Sequence, residues 1–294
     1  MSDPLRDRIQ EYYAAVPLLF ADAEDFGPLR LFVRKEPGAP YYGGPGHAQP
    51  TAEGAASVGA ADIARVRARQ RELGVPEAFE WLAESAPELR PLIEAAGLKV
   101  LRRPLMALPP HHPLLPQPVP DGVTLRALTT DDPVLPAALA LPRLAFAEEP
   151  RPATGPTDRL PDRLPDRTSD RTKLSRLAAE LTEDGTVATV RPTLRAGHKT
   201  LLAALAPDGT PLATGHYHPA TGTTEIGGIG TLPSARRQGL AAAVTAALVT
   251  HARAHGVDTI FLAYAEDTVA RIYARLGFRP TGTTLLIAGQ PARS

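Results

Sequence analysis

Arg236-Arg237-Gln238-Gly239-Leu240-Ala241 follows an apolar, glycine-bearing run from Glu225 to Leu232 and precedes the alanine-rich segment Ala242 to His255. A strand, a glycine-bearing loop and a helix start can together hold a phosphate. The first N–H groups of a helix have no intrahelical acceptor, and the aligned peptide dipoles favour negative charge there. Gly239 lets the backbone approach an anion or adopt positive φ, Ala241 keeps the next turn thin, and Arg236 and Arg237 add charge. On spacing alone, an ordinary surface loop stays open as the alternative, since arginine-glycine loops before helices are common.

The surrounding elements are legible. Val123 to Leu128 alternates as a strand, and Asp131 to Ala147 reads as a helix broken or kinked by Pro133, Pro136 and Pro142. Lys173 to Thr182 reads as a helix. Thr200 to Leu205 and Pro211 to Tyr217 are strands joined by a turn at Asp208-Gly209. Thr224 to Thr231 is a strand weakened by Gly227, Gly228 and Gly230. A helix over Ala241 to His255 ends at Gly256, and a buried strand covers Thr259 to Tyr264. A helix over Thr268 to Leu276 ends at Gly277, and Gly282 to Ala288 is a last strand.

This order, with Arg-x-x-Gly-x-Ala at 236–241 and Tyr273-Ala274-Arg275-Leu276-Gly277-Phe278 after it, resembles the GNAT superfamily of N-acetyltransferases. The likeness covers Val123 to Ala288 and is strongest from Glu225 onward. It implies a GNAT-like α/β (α+β) fold: a mixed, mostly antiparallel twisted sheet flanked by helices. It also implies that the loop Arg236, Arg237, Gln238, Gly239, Leu240 and Ala241 wraps the pyrophosphate of acetyl-coenzyme A. By the same alignment Ile229, Gly230 and Thr231 turn backbone amides toward the thioester and pantetheine, which suits glycines at 227, 228 and 230. Tyr273 becomes the acid for the departing thiolate, and Glu225 a carboxylate that removes the amine proton through water. His216 and His218, on one face of a strand, are alternatives for that base, and satisfied structural histidines are the plainer reading of both. Where the family often has asparagine seven residues before the tyrosine, this chain has Glu266, followed by Asp267 as a candidate helix cap.

The first half carries a weaker echo. Trp81-Leu82-Ala83-Glu84 aligns without a gap with Phe261-Leu262-Ala263-Tyr264, through to Gly97 and Gly277. Asp62 to Leu73 before Gly74-Val75 parallels the helix before Gly256-Val257. The echo predicts a duplicated fold, with incidental similarity of two strand-helix-strand pieces as the plain alternative. Ile93 stands in the place of Tyr273, and Thr51 to Ala60 lacks the arginine-glycine hexapeptide, so this half should bind no acetyl-coenzyme A. Prolines from Leu108 to Pro120 cannot be helix and read as a linker. The organisation expected is a degenerate GNAT-like domain at 1–107, a linker at 108–121 and an acetyltransferase domain at 122–294. An insertion at 150–172 carries the tandem repeat Asp158-Arg159-Leu160-Pro161-Asp162-Arg163-Leu164-Pro165.

Composition narrows the classes. Acidic and basic residues balance at 32 each among 294 residues, so no global field attracts nucleic acid or anionic membrane. The chain has no cysteine, which removes thiolate catalysis and cysteine-zinc sites, and no metal is expected. No apolar run approaches a membrane span, and Met1 to Gln10 lacks a secretory core, so a cytoplasmic protein is expected. Without a cysteine to carry an acyl group, transfer would be direct, in a ternary complex. The expected acceptor is a small-molecule or peptide amine, and the first half would shape its pocket or a homodimer contact. A non-catalytic acyl-coenzyme A sensor is the alternative from another class.

Overall fold

The computed structural model describes residues 3–35, 46–51, 57–114, 117–147 and 167–287. The Asp-Arg-Leu-Pro repeat lies outside them, and 167–172 of the expected insertion belong to a helix. In chain order, α1 (Pro4–Ala15) and a 3-10 turn (Val16–Leu19) precede β1 (Ala21–Phe26), β2 (Leu29–Arg34) and β3 (Gly46–Pro50). Then come α2 (Ala60–Glu72), β4 (Ala78–Leu82), α3 (Leu89–Ala95) and β5 (Val100–Leu108). After the proline-rich stretch follow β6 (Thr124–Ala127), α4 (Leu135–Ala147), α5 (Arg167–Glu183) and α6 (Thr186–Arg195). The chain continues through β7 (Thr200–Leu205), β8 (Pro211–Tyr217), β9 (Thr223–Thr231) and a 3-10 turn (Pro233–Ala235). It closes with α7 (Leu240–Ala254), β10 (Thr259–Ala263), α8 (Asp267–Arg275) and β11 (Arg279–Ile287).

These elements form two compact units that do not run with the chain. One comprises Met1–His112, Pro219–Glu225 and Gly256–Ser294; the other comprises Pro113–His218 and Ile226–His255. The fold is mixed α/β with mostly antiparallel pairing.

In the first unit the strands lie in the order β1-β2-β3-β4-β11-β5-β10, with the start of β9 beside β10. Among the described residues of this unit, the β3–β4 and β10–β9 pairs alone are parallel. Gln70, fully buried on α2, donates from Nε2 to Gly46 O (3.0 Å) and Ala78 O (2.8 Å), tying the helix to β3 and β4. Leu29, Leu31, Ile63, Val66, Phe79, Trp81, Leu89 and Ile93 fill one core, which Leu285 of β11 joins. Ile9, Tyr12, Tyr13, Leu82, Leu105 and Phe261 fill another.

The closing strands are exchanged. β5 pairs with β10, and β11 pairs with β4, so each strand-helix-strand piece lends its last strand to the other's first one. β5 and β11 pair with each other, Arg103 opposite Thr284 and Pro104 opposite Thr283. Residues 81 and 261 align at an offset of 180, and under that offset these two pairs map onto each other. The helix-ending glycines repeat as well: Gly74 and Gly256 have φ of +65° and +77°, Gly97 and Gly277 of +82° and +97°. Both pairs use the left-handed conformation that ends a helix without Cβ strain.

In the second unit β6, β7, β8 and the rest of β9 pair antiparallel in that order. α7 lies close on the sheet because Gly215 has no side chain: a Cβ there would meet Val244 (3.1 Å) and Leu248 (2.9 Å). α4 is continuous through Pro142, with Pro136 in the first turn where no N–H is needed. α6 was not visible in the sequence, because Pro192 inside it mimics a break; its Val187 and Val190 are nevertheless buried.

Candidate functional site

The phosphate-loop candidate lies in the second unit. After β9 the turn Pro233–Ala235 is pinned by Asp170 of α5, a buried carboxylate that accepts from Ser234 N at 2.8 Å. The chain then passes Arg237 at φ +64° and Gly239 at φ +79° before α7 begins at Leu240. Two left-handed residues within three, one of them not glycine, turn the backbone sharply into the helix. Gly239 is the N-cap and offers no side chain, so the first amides of α7 keep their donors. Among the described residues the first intrahelical acceptor bond runs from Ala243 N to Gly239 O, 3.0 Å. Arg236, Arg237 and Gly239 are exposed, Gln238 is partly buried and Leu240 is buried as an anchor. This open, dipole-favoured end suits a diphosphate.

Two of the sequence-derived residues do something additional. The Arg236 guanidinium donates to Ala145 O at 2.9 Å and so ties the loop to the end of α4. At Gly230 the close approach is made by α4: a Cβ there would meet Leu141 at 3.0 Å and the Pro142 backbone at 3.2 Å. A side chain at 230 would therefore crowd α4, whatever the Gly230 amide binds. The bulge in β9 is real, with register shifting between Thr214/Gly230 and His216/Gly227. Gly228 makes it at φ +60°, and a Cβ there would fall 2.6 Å from His216 Nδ1. Ile229 and Thr231, flanking Gly230, are partly buried.

Behind the bulge lies a cluster of basic side chains. His216 and His218 meet edge to face at 5.3 Å. His218 Nδ1 donates to His198 O (2.8 Å), and its Nε2 faces Lys199 Nζ at 3.2 Å. Burial lowers the Lys199 ammonium to about 7. Burial, and then the neighbouring Lys199, hold both imidazoles well below the ordinary histidine range. His218 is thus a satisfied structural histidine, and His216 is packed under the glycine bulge.

Glu225 and Tyr273 fall in the first unit. The β9–β10 register runs Thr223↔Thr259, Thr224↔Ile260 and Glu225↔Phe261. Glu225 is buried, and its Oε2 accepts from the Tyr13 hydroxyl at 3.3 Å. Tyr273 is buried on α8 with its ring edge on Phe278 at 6.1 Å, and burial pushes its phenol up to about 12. It therefore stays protonated at neutral pH, as a proton donor must. The N-cap of α8 is Glu266, without a side-chain cap bond, and Asp267 is the first helical residue. The expected Asp267 cap is corrected accordingly: one position inside the helix, its carboxylate acts on the helix dipole instead.

Sequence reasoning missed Tyr13, Asp170 and Lys199. Each acts across a long sequence separation or through burial, and none belongs to a local motif. Among the described residues no group of three or more metal-ligating side chains occurs, and no helix is long and apolar enough to cross a membrane.

A family model described as the acetyltransferase (GNAT) family matches residues 168–278. No curated protein matches the chain. A solved GCN5-related N-acetyltransferase from Kribbella flavida is similar at 21% identity and TM-score 0.65, covering 100% of this chain and 97% of its own. One from Sphaerobacter thermophilus is similar at 17% identity and TM-score 0.55, covering 90% and 78%. A tandem GNAT protein from the clavulanic acid biosynthesis pathway is similar at 18% identity and TM-score 0.51, covering 90% and 79%. These likenesses concern the fold. Residues 168–278 thus match the model of an acyl-transfer family, the acetyltransferase (GNAT) family, within a chain that takes the GNAT fold.

Proposed function

We propose that the protein transfers an acetyl group from acetyl-coenzyme A to an amine by direct attack in a ternary complex. The observation that carries this reading is the uncapped start of α7 behind left-handed Arg237 and Gly239. Amides of Gln238, Gly239, Leu240 and Ala241 would receive the pyrophosphate, with Arg237 adding charge. Arg236, tied to Ala145 O, would act mainly by shaping the loop. Amides of Ile229, Gly230 and Thr231 would hold the pantetheine and thioester end, where preorganised donors contribute about 3 kcal/mol to lowering a barrier.

An alkylamine is mostly protonated at neutral pH and must lose a proton before attack. Glu225 is the proposed acceptor of that proton. Tyr273 is the proposed donor to the leaving thiolate, its high proton affinity making it a positioned hydrogen-bond donor. The acceptor class follows from the family resemblance: a small-molecule or peptide amine.

Calorimetry with acetyl-coenzyme A, followed by free-thiol release against a panel of amines, tests the reading. Binding with thiol release supports acyl transfer. Tight binding without release against any amine supports a non-catalytic sensor, and no binding removes both readings.

A further inference from the structure

The first helix of the chain bears on a carboxylate 212 residues away. Gln49 Nε2 of β3 donates to Tyr13 O at 2.8 Å and fixes the last turn of α1. Tyr12 and Tyr13 both stand edge-on to Phe261, at 5.4 Å and 5.6 Å. Phe261 is the register partner of Glu225, so α1 is seated across the point where β9 and β10 pair.

From there the Tyr13 hydroxyl reaches Glu225 Oε2 at 3.3 Å and Thr284 Oγ1 at 3.1 Å. A phenol has one proton, and an ionised carboxylate can only accept. Tyr13 therefore donates to Glu225 and accepts from Thr284, giving a directed chain from Thr284 through Tyr13 to Glu225. All three residues are buried. The Tyr12 hydroxyl adds contacts to the Glu225 backbone and the Thr224 side chain. Burial, and then the Glu225 charge, raise the Tyr12 phenol, so it too remains a donor. Charged groups near this patch include Glu80 of β4, which also acts on Tyr12, and Arg8 of α1, which donates to Thr259 Oγ1 at 3.2 Å.

We propose that Tyr13 is a positioning residue that keeps Glu225 ionised and fixed for proton acceptance. The N-terminal half would thereby complete the acyl-transfer machinery that its partner half carries. This rests on the proposed reading of Glu225 as the proton acceptor. Burial of a carboxylate favours its neutral form, and a donor to its charged form opposes that. Phenylalanine at 13 keeps the ring contacts with Phe261 and removes only the donor.

The test is a carbon-13 titration of the full chain labelled at glutamate carboxyls, with Glu225→Gln assigning the signal. Tyr13→Phe should raise the Glu225 midpoint by about one pH unit, roughly tenfold tighter proton binding. An unmoved midpoint overturns the proposal. If Tyr13→Phe does not fold, Thr284→Val keeps the shape while weakening the chain from behind. It should raise the midpoint in the same direction by less, and an unmoved midpoint there is equally adverse. In thiol-release assays with the amine panel, the acid limb of the Tyr13→Phe profile should move with the titration. Full activity in Glu225→Gln would overturn the catalytic reading of Glu225, while the Tyr13 titration separately decides the coupling.

Discussion

Lys199 offers the sharpest test of the physical reasoning. It is 6% exposed and carries an amine whose proton affinity burial lowers from 10.5 to about 7. At ~1.4 kcal/mol per pH unit, that fall corresponds to an upper bound of ~5 kcal/mol of destabilisation. The unfolded chain holds this proton up to pH 10.5, and the folded chain only up to about 7. Between those values the unfolded state binds more protons, so stability on this group's account rises with pH. The cost is complete below about pH 7 and gone above 10.5.

Lys199→Met keeps the apolar stem and removes the amine. It also takes the Lys199 amine away from His218 Nε2, whose other nitrogen is committed to His198 O. A lost buried partner costs ~1–3 kcal/mol at any pH. The variant should therefore be more stable than the parent by ~2–4 kcal/mol at pH 6 and less stable by ~0–2 kcal/mol at pH 10, where a little of the charge-burial cost remains. Urea titrations at a series of pH values, followed by far-ultraviolet circular dichroism, measure this. Tryptophan fluorescence is the wrong probe, since the single tryptophan, Trp81, lies in the other compact unit. A variant that is weaker at pH 6, or whose difference from the parent ignores pH, would refute the buried-charge argument.

Gly239→Glu puts a side chain at φ +79° and a carboxylate at the open helix end, so the calorimetric heat of coenzyme A binding should vanish while dichroism is retained; persistent heat moves the diphosphate elsewhere. Tyr273→Phe should leave the melting temperature nearly unchanged and slow thiol release about 100-fold, whereas parental rates would exclude it as the acid. Gly228→Ala should destabilise by ~1–3 kcal/mol, because φ is +60° and the new methyl would fall 2.6 Å from His216 Nδ1. Adding His216→Ala should recover part of that loss, and strictly additive effects in denaturant titrations would show that the imidazole does not constrain the bulge.

Local signals made much of the second half legible. The helices over Ala241 to His255 and Thr268 to Leu276 appear as α7 and α8, each followed by a left-handed glycine, because a helix end needs a residue without Cβ strain. The loop was legible for the same reason: Gly239 before an alanine run marks a helix start that lacks its own cap. Tertiary partners were not legible. Tyr12-Tyr13 on a short amphipathic helix says nothing of a glutamate 212 positions on. Glu225 reads as a solvated strand-end carboxylate until α1 is seen covering it. Lys199 looks like any surface lysine beside a strand, and nothing local announces its contact with His218, one residue past the end of β8. Packing against distant residues assigns these roles, and periodicity carries no record of it.

The exchanged strands give a physical reason for the first half to persist without a phosphate loop or a counterpart of Tyr273. Alternation along a strand fixes which face is buried, not which neighbour supplies the hydrogen bonds. β10, the strand that precedes α8, takes its antiparallel partner from β5, and β11 is enclosed by β4 and β5. Without Val100–Leu108, a whole side of β10 and of β11 would present unpaired amides and carbonyls, the exposed edge that soluble proteins avoid. The same stretch of chain that pairs with β10 is followed by the prolines of the expected linker, so its end is fixed by sequence while its neighbour is not. The first half is therefore held in place as backbone irrespective of any ligand, with Ile93 fully buried at the position that aligns with the buried Tyr273.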